Sequence, residues 1–316
     1  MSAKKKQLRK LFVITGGSGF LGQHILGELL KSVFDENVVF VPSSKEFDLR
    51  DFKACKKVVS MADVVIHLAA RVGGIGYNLK NPGQLFYDNA IMGIQLMEAA
   101  RLKGVEKFVG IGTICSYPKL TPVPFKEGSI WDGYPEETNA PYGLAKKMLL
   151  VQAQAYRQQY GFNAITLFPV NLYGPGDNFN PESSHVIPAL IKKFVEARIE
   201  RKKSVEIWGT GNATREFLFV KDAARAIVLA TLKYNKPDPV NIGSGMEISI
   251  RDLVYIISKI IGYQGEIVWD SSKPDGQPRR CLDVSRAREE FGFKARTSFS
   301  DGIRKTISWY LANYPR

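Results

Sequence analysis

The sequence predicts an α/β protein built on a doubly wound parallel sheet, and three observations support this fold class. An apolar strand, a glycine-rich turn and an amphipathic helix follow one another within residues 11–33. Further apolar strands alternate with helical stretches up to residue 168, the order that right-handed crossovers between parallel strands produce. From about residue 171, shorter elements are separated by loops rich in Gly, Pro and Asn. We therefore expect a first domain over residues 1–170 and a smaller C-terminal α/β portion over residues 171–316, with segments near 215–245 returning to the first domain.

The composition is that of a globular protein with a sizeable core. Of the 316 residues, 45% are hydrophobic and 24% are charged, which are ordinary values. No apolar run approaches the ~18–20 residues that a membrane-spanning helix needs, and the basic start MSAKKKQLRK lacks the apolar segment of a signal peptide. Cys55, Cys115 and Cys281 are widely spaced and form no CxxC pair. This pattern indicates reduced thiols, a cytoplasmic location, and neither a disulfide framework nor a metal site.

The net charge of +13 raises the question of a nucleic-acid partner. The basic residues are scattered, apart from short runs at residues 4–6 and 201–203, and no aromatic-basic motif of a nucleic-acid module is present. A positive surface also attracts small polyanions such as dinucleotides and nucleotide sugars. We expect small anionic ligands rather than nucleic acid.

The turn after the first strand has the composition of a dinucleotide-binding loop. The stretch LFVITGGSGFLG has glycines at positions 16, 19 and 22, a GxxGxxG spacing that begins directly after the strand. Glycine allows a sharp bend and a close approach of a pyrophosphate, which the N–H groups of the helix N-terminus attract. A purely structural turn is the alternative. The residues expected at the cofactor are Gly16, Gly17, Ser18, Gly19, Phe20, Leu21 and Gly22.

The end of the second predicted strand, residues 38–41, indicates which dinucleotide binds. A free ribose 2′-hydroxyl usually meets an Asp or Glu here, whereas a 2′-phosphate needs hydroxyls and a cation. Ser43, Ser44 and Lys45 suit the phosphate, so we expect NADP(H) rather than NAD, although a simple polar turn would have the same composition. Asp48 and Leu49 follow, where an adenine would be held.

The other predicted elements complete the sheet and the C-terminal portion. The third strand, residues 64–68, leads into a loop of small residues in which Ala69 and Ala70 would let backbone lie against a cofactor. His67, at the end of this apolar strand, is interpreted as structural. We expect further strands at residues 108–112, 164–168, 205–208 and 240–242, and helices at residues 86–103, 142–160, 185–199, 251–261 and 300–310. Because ligands of open α/β sheets bind beyond the carboxyl ends of the strands, the C-terminal portion should cover the cofactor and select the substrate.

Tyr142 and Lys146 are the first candidate catalytic pair. Their spacing of four places both side chains on one face of a helix, where the ammonium is expected to lower the pKa of the phenol. Thr113 adds a hydroxyl at the tip of the fourth strand. A hydroxyl, an acidic phenol and a lysine beside a nicotinamide meet the requirements of carbonyl reduction.

Cys115 and His185 suggest a second activity. Cys115 lies two positions after Thr113, so in an extended chain both side chains would face the same side. His185 begins a helix that Ser183 or Ser184 would cap, and Lys193 shares its face. A thiol and an imidazole over one sugar ring can remove and return protons next to a ketone, which is epimerisation. The alternative for Cys115 is a small buried hydrophobic residue.

Seven motifs together resemble the GDP-L-fucose synthase family, a group of extended short-chain dehydrogenase/reductases. They are VGGIGYN (residues 72–78), CSYPK (115–119), the Tyr142–Lys146 pair, NLYGPGDNF (171–179), SHVIPALI (184–191), WGTGNATREFLFV (208–220) and SKPDGQPRR (272–280). The resemblance implies an enzyme that epimerises C3 and C5 of GDP-4-keto-6-deoxy-D-mannose and reduces C4 with NADPH. It also implies a homodimer packed through the helices at residues 86–103 and 142–160.

The resemblance assigns roles to residues of this chain. Thr113, Tyr142 and Lys146 match the reductase triad, Cys115 the base and His185 the acid of epimerisation. The matching cofactor contacts beyond the glycine loop are Ile111, Gly112, Tyr142, Lys146, Pro169, Asn171, Leu172 and His185. The matching contacts to the GDP-sugar are Asn171, Lys193, Trp208, Arg215, Asp275 and Arg280. From the residues alone, Trp208 would equally suit a core, and the arginines surface ion pairs.

Departures from the family pattern, which also include Ile114, Lys193 and Arg280, keep other functions open. Thr113 stands where the family usually has Ser, and Ser18 where some members have an arginine for the 2′-phosphate. The alternatives are a redox-neutral nucleotide-sugar epimerase similar to GDP-mannose 3,5-epimerase, a 4-reductase for another GDP-4-keto-hexose, and a protein that binds dinucleotides without catalysis. The last would be expected to have damaged triad positions, and all three are intact.

Overall fold

The structure, a computed structural model, describes residues 10–32, 38–273 and 275–314. The basic run at residues 4–6 lies outside the described residues, as does residue 274 of the SKPDGQPRR motif. The strands are β1 Leu11–Thr15, β2 Val38–Phe40, β3 Val64–His67, β4 Lys107–Ile111, β5 Ala164–Pro169, β6 Asn171–Tyr173, β7 Ser204–Trp208, β8 Thr214–Phe219, β9 Val240–Ile242, β10 Glu247–Ser249, β11 Glu266–Asp270 and β12 Arg279–Arg280. The helices are α1 Phe20–Ser32, α2 Phe52–Val58, α3 Ile75–Lys80, α4 Pro82–Lys103, α5 Ala140–Tyr160, α6 Val186–Ile199, α7 Val220–Lys233, α8 Ile250–Ile261, α9 Ser285–Phe291 and α10 Phe299–Asn313, with short 3-10 helices at Ile114–Ser116 and Glu127–Trp131.

Six parallel strands form the main sheet in the order β2-β1-β3-β4-β5-β9, which confirms the predicted Rossmann-type doubly wound fold. The chain moves outward from β1 to β2 and then back to β3, so the strand order reverses between β1 and β3. Thr15 and His67 pair at the ends of these two strands. In such sheets the crevice at the reversal, beyond the carboxyl ends, is where ligands bind.

Helices cover both faces of this sheet, and the side chains of its strands alternate between two cores. Ile14, Ile66 and Val109 belong to one buried cluster, and their chain neighbours Val13 and Val65 belong to another. This alternation with a period of two residues is what strands buried on both faces require. The continuous apolar runs of β1 and β3 therefore follow from the two helical layers.

The smaller portion is built around β8, which pairs with β10 in antiparallel and with β6 and β12 in parallel fashion. A separate pair, β7 and β11, lies beside it. Its core contains Phe194, Phe217, Leu253 and Ile303. The chain then returns to the first domain, because α7 packs against α1 and β9 forms the edge of the six-stranded sheet.

The buried carboxylate of Glu216 ties three separate segments together. Its oxygens accept the backbone N–H groups of Ser244 at 2.5 Å, Gly245 at 2.7 Å and Leu282 at 2.7 Å. A buried carboxylate is tolerated when such donors replace the water that it loses. Glu216 thus joins β8 to the turn after β9 and to the chain that follows β12.

Several predicted boundaries differ from the structure. The helix expected from residue 86 begins at Pro82, since proline fits the first turn of a helix. The second strand ends at Phe40 rather than at residue 41. His185 itself occupies the N-cap of α6 with no side-chain capping bond, so the prediction that Ser183 or Ser184 caps this helix is wrong. Among the described residues, no helix combines the length and the apolar character needed to cross a membrane.

Candidate functional site

The glycine turn forms the floor of the crevice through close backbone contacts. Gly16 has a φ of +71°, and a Cβ there would lie 2.8 Å from the backbone nitrogen of Ala69. A Cβ on Gly22 would lie 2.4 Å from the carbonyl oxygen of Gly16. Only glycine fits these positions, so the backbone of the turn lies tightly against the loop after β3 and the first turn of α1. A compact backbone of this kind at the N-terminus of a helix is suited to a pyrophosphate.

The polar residues after β2 have different surroundings. Ser43, Ser44 and Lys45 are exposed, as a contact to a 2′-phosphate would require. Arg50 binds the Asp48 carboxylate at 2.7 Å, and these hydrogen bonds lower the pKa of Asp48. The side chain of Leu49 is buried in the core. Asp48 is therefore already paired, and Leu49 takes part in core packing.

His67 is fully buried, in agreement with a structural role. Its Nδ1 lies 2.8 Å from the hydroxyl oxygen of Thr15, whose oxygen also accepts from the backbone N–H of Ala69 at 3.4 Å. Burial, together with the charge of Lys146, lowers the pKa of His67 to about 3. The imidazole is thus neutral and holds the ends of β1 and β3 and the loop after β3 in one place.

Thr113 and Cys115 lie just beyond β4, but not in the conformation expected. Residues 114–116 form a 3-10 turn, and the Thr113 hydroxyl oxygen caps it by accepting the backbone N–H of Cys115 at 3.3 Å. The prediction of an extended chain that places both side chains on one side is therefore wrong. Cys115 is half-buried and faces Tyr142 closely enough to influence its ionisation, so the thiol still belongs to this site.

Tyr142 hydrogen-bonds to Thr113, but its pKa is raised, whereas the helix spacing predicted that it would be lowered. Burial and the nearby Cys115 raise the pKa of Tyr142 well above 10, and the bond to Thr113 offsets only part of this effect. Burial also lowers the pKa of Lys146 to about 8. Desolvation outweighs the helix spacing here, so in this structure the phenol is firmly protonated. A protonated phenol is the form that donates a proton to a developing alkoxide.

Gly143 explains how α5 comes close to the segment that carries Cys115, and local sequence pattern has no separate signal for this contact. A Cβ on Gly143 would lie 2.2 Å from the carbonyl oxygen of Cys115, so α5 and the 3-10 turn touch through backbone. The Ser116 hydroxyl donates to the carbonyl of Gly143 at 2.8 Å. These contacts fix Tyr142 and Cys115 relative to each other.

His185 reaches the same edge of the sheet from the C-terminal portion. The loop before it packs on the loop after β3, where the N–H of Gly74 donates to the carbonyl of Ser183 at 3.1 Å. The strand β3 is the neighbour of β4, which Thr113 and Cys115 follow. His185 is exposed to solvent, and desolvation by the surrounding protein lowers the pKa of its imidazole.

Arg215 and Arg280 form a cationic pair on adjacent strands. They are paired in register between β8 and β12, and burial and the charge of Arg280 lower the pKa of Arg215 to about 10. Arg215 donates to the carbonyls of Thr214 at 2.7 Å and Asp275 at 3.2 Å, and Arg280 donates to the side-chain oxygen of Gln277 at 2.6 Å. Among the described residues, neither guanidinium forms a salt bridge with a carboxylate. The ion-pair alternative is thus wrong, and two adjacent, unneutralised guanidinium groups are suited to a pyrophosphate.

The other predicted substrate contacts come from several elements of the C-terminal portion. Trp208 is 67% exposed at the end of β7, so it is not a core residue. Lys193 donates to the carbonyl of Glu206 in the same strand at 2.8 Å. Asp275 accepts from the N–H and the hydroxyl of Thr210 at 2.7 and 2.6 Å. Asn171 donates to the carbonyl of Glu216 at 3.4 Å, and with Pro169 and Leu172 it continues from β5 into β6.

Comparison with known proteins connects this arrangement with a family. Residues 12–243 match the NAD dependent epimerase/dehydratase family. Over 309 residues the chain is 40% identical to the probable GDP-L-fucose synthase 1 of Oryza sativa subsp. japonica, covering 96% of this chain and 92% of that protein. The chain belongs to the NAD dependent epimerase/dehydratase family, in its GDP-L-fucose synthase branch. The predicted resemblance is thereby confirmed.

Solved structures of similar proteins extend the comparison within this family. A GDP-L-fucose synthetase from Naegleria fowleri, solved bound to NADP, is 28% identical with a TM-score of 0.87, over 98% of this chain and 96% of that chain. A GDP-6-OMe-4-keto-L-xylo-heptose reductase from Campylobacter jejuni is 28% identical with a TM-score of 0.91, over 98% and 99% of the two chains. Members of one fold thus include proteins named for different GDP-sugars.

Proposed function

We propose that this chain is an NADPH-dependent enzyme that epimerises C3 and C5 of GDP-4-keto-6-deoxy-D-mannose and reduces C4, giving GDP-L-fucose. One observation carries the proposal: Cys115 lies beside the Tyr142 phenol, and its backbone N–H donates to the Thr113 hydroxyl oxygen. Carbonyl reduction needs the phenol and the hydroxyl, but it has no use for a thiol. A thiol in that place serves proton transfer at the carbons next to the ketone.

The crevice fits a dinucleotide on grounds of its own geometry. The glycine turn admits a pyrophosphate at the N-terminus of α1, and residues 43–45 offer two hydroxyls and an ammonium to a 2′-phosphate. Among the described residues, the Lys146 ammonium has no hydrogen-bond acceptor in the protein, so it is available to a ligand. The NADP-bound relative from Naegleria fowleri supports NADP(H). Bound NADPH supplies the hydride that reduces C4.

The residues divide the chemistry between them. Cys115 Sγ removes a proton from the carbon next to the ketone, and His185 returns a proton to the opposite face, which inverts C5 and C3 in turn. Thr113 donates a hydrogen bond to the C4 oxygen and so stabilises the enolate that forms. In the reduction, the Tyr142 phenol gives its proton to the C4 oxygen. Arg215 and Arg280 hold the pyrophosphate of GDP, and Trp208 offers an apolar face to a base or sugar.

The proposal is tested by incubating the purified protein with NADPH and GDP-4-keto-6-deoxy-D-mannose. Absorbance of reduced cofactor is followed, and the product is identified by NMR. We expect stoichiometric NADPH oxidation and GDP-L-fucose. Proton exchange with solvent but no NADPH consumption would instead indicate a redox-neutral epimerase. Reduction without inversion would indicate a simple 4-reductase.

A different GDP-4-keto sugar is a second candidate substrate. The similarity to the Campylobacter jejuni protein, which is named as a reductase of a GDP-heptose, favours this alternative. The same assay with GDP-4-keto sugars that differ at C3 or C6 separates the two. The preferred substrate is the one with the highest kcat/KM.

Lys146 is expected to make cofactor binding depend on pH. Its ammonium is charged below its pKa of about 8 and neutral above it, and NADPH is an anion. The affinity for NADPH should therefore fall by about three- to tenfold between about pH 7 and about pH 9.5. Titration of cofactor fluorescence measures this without turnover. K146R stays charged over this range and should show a flatter profile; equal slopes for both proteins would contradict the proposal.

The oligomeric state and the location are extensions of this proposal. Exposed apolar and aromatic side chains line α4 and α5, which pack on each other. They include Phe86, Tyr87, Leu102, Val151 and Tyr160. This surface supports a homodimer through these two helices, which light scattering in solution would reveal as twice the chain mass. The three free cysteines support a reducing, cytoplasmic location.

A further inference from the structure

The side chain of Gln277 joins the C-terminal portion to the segment that carries Cys115. Its Nε2 donates to the carbonyl of Lys119 at 2.8 Å, and its Oε1 accepts from Arg280 Nε at 2.6 Å. Lys119 is four residues beyond Cys115, and its own N–H donates to the carbonyl of Tyr134 at 3.0 Å. One amide therefore anchors Arg280 to a segment that is itself held in place.

These hydrogen bonds connect the Lys119 carbonyl through Gln277 and Arg280 to the Cys115 thiol. Arg280 Nη1 lies 3.9 Å from Cys115 Sγ, within hydrogen-bonding distance of a sulfur atom. Two other charged side chains lie close enough to Arg280 to interact with it: Arg215, whose positive charge repels it, and Glu136, whose negative charge attracts it. The neutral amide of Gln277 fixes the guanidinium without neutralising it.

We propose that Gln277 is a positioning residue that holds the Arg280 cation against the Cys115 thiol. A cation beside a thiol favours the thiolate, which is the form that abstracts protons and reacts with electrophiles. The contribution to epimerisation rests on the proposed function, whereas the contribution to thiol reactivity does not. Gln277 acts through Arg280 and does not itself contact the reacting atoms.

Alkylation by iodoacetamide in the absence of nucleotide sugar tests the proposal directly. Cys55 and Cys281 are 0% and 7% exposed, so Cys115 is the thiol expected to react, with C115S as the blank. In Q277M the guanidinium loses its anchor, and the alkylation rate should fall about three- to tenfold. Gln154 offers a matched control, because it is also half-buried and its amide donates to a carbonyl, that of Pro237 at 3.4 Å. Q154M should alkylate at the wild-type rate.

A double-mutant cycle shows whether Gln277 acts through Arg280. R280Q removes the cation, and Q277M/R280Q should then alkylate no more slowly than R280Q alone. Effects that multiply, or a wild-type rate in Q277M, would overturn the proposal. Should Q277M unfold, Q277E preserves a polar side chain but pairs ionically with Arg280 and loses the donor to Lys119, so its alkylation should also be slow.

Turnover provides a second readout with its own meaning. In Q277M, the kcat for exchange of the C3 and C5 protons should fall, whereas the KM for NADPH in the reduction should be unchanged. Slow alkylation in a protein that forms no GDP-L-fucose would support the role of Gln277 and reject the proposed function. Normal alkylation of Q277M in an enzyme that forms GDP-L-fucose would support the proposed function and reject the role of Gln277.

Discussion

Replacing Tyr142 by Phe is expected to lower the rate of NADPH oxidation by ~10²–10⁴-fold, the usual contribution of a positioned general acid. Burial keeps the phenol protonated, and its hydrogen bond to Thr113 aligns it, so removing the hydroxyl deletes the proton donor for the C4 oxygen. Exchange of the C3 and C5 protons into deuterated water should persist, because Cys115 and His185 remain. Stopped assays of NADPH and NMR of the recovered sugar measure the two steps separately.

Y255F is a suitable control for this result. Tyr255 is exposed on α8, and its loss of a hydroxyl should leave both activities unchanged. Affinity for NADPH in Y142F should be close to that of the wild type. If exchange disappears together with reduction, the phenol also stabilises the enolate, and the division of roles proposed above is wrong.

Replacing Cys115 by Ser is expected to suppress C3 and C5 exchange by ~10²–10⁴-fold, since a serine hydroxyl is far less readily ionised than a thiol. The thiol is half-buried beside Tyr142 and Arg280, whereas the glycine turn is formed by other residues. NADPH binding should therefore be unaffected. Mass spectrometry of deuterium uptake and a cofactor titration are the two measurements.

C55A controls for the loss of a thiol elsewhere. Cys55 is fully buried in α2, in the core on one face of the sheet. Its replacement should lower the free energy of unfolding but leave the rate of C3 and C5 proton exchange unchanged. An undiminished rate of C3 and C5 proton exchange in C115S would mean that Cys115 is only a small packing residue. Reduced NADPH affinity would mean that the substitution disturbed the crevice as a whole.

Much of the fold follows from local pattern, as β1 and α1 show. The apolar run before Gly16 and the glycines after it predict a strand, a turn and a helix, and the structure has all three. Alternation of such units predicts the parallel sheet. The elements that pattern did not indicate include α2 and β8: α2 has only seven residues, and β8 depends on partners far along the chain. Pairing between distant segments has no signal in local sequence.

The candidate site likewise has residues that local sequence pattern predicts and residues that it does not. Residue types and spacing indicated Thr113, Cys115, Tyr142, Lys146 and His185, and the family resemblance added the two arginines. The structure brings Thr113, Cys115 and Tyr142 together, but the acidity of the phenol depends on burial, which spacing cannot reveal. Gly143 and Gln277 escaped notice because their roles are contacts with Cys115 and Arg280, residues that only the fold brings near them.

The bonds of Glu216 bear on how substrate preference can change within such a scaffold. The carboxylate joins β8 to the turn after β9 and to the chain after β12. A crossover between two genes within residues 216–282 would take the carboxylate and the Leu282 donor from different parents, whereas a crossover before residue 216 would keep all of these bonds. Chimeras joined within residues 216–282 should therefore express more poorly than chimeras joined before them.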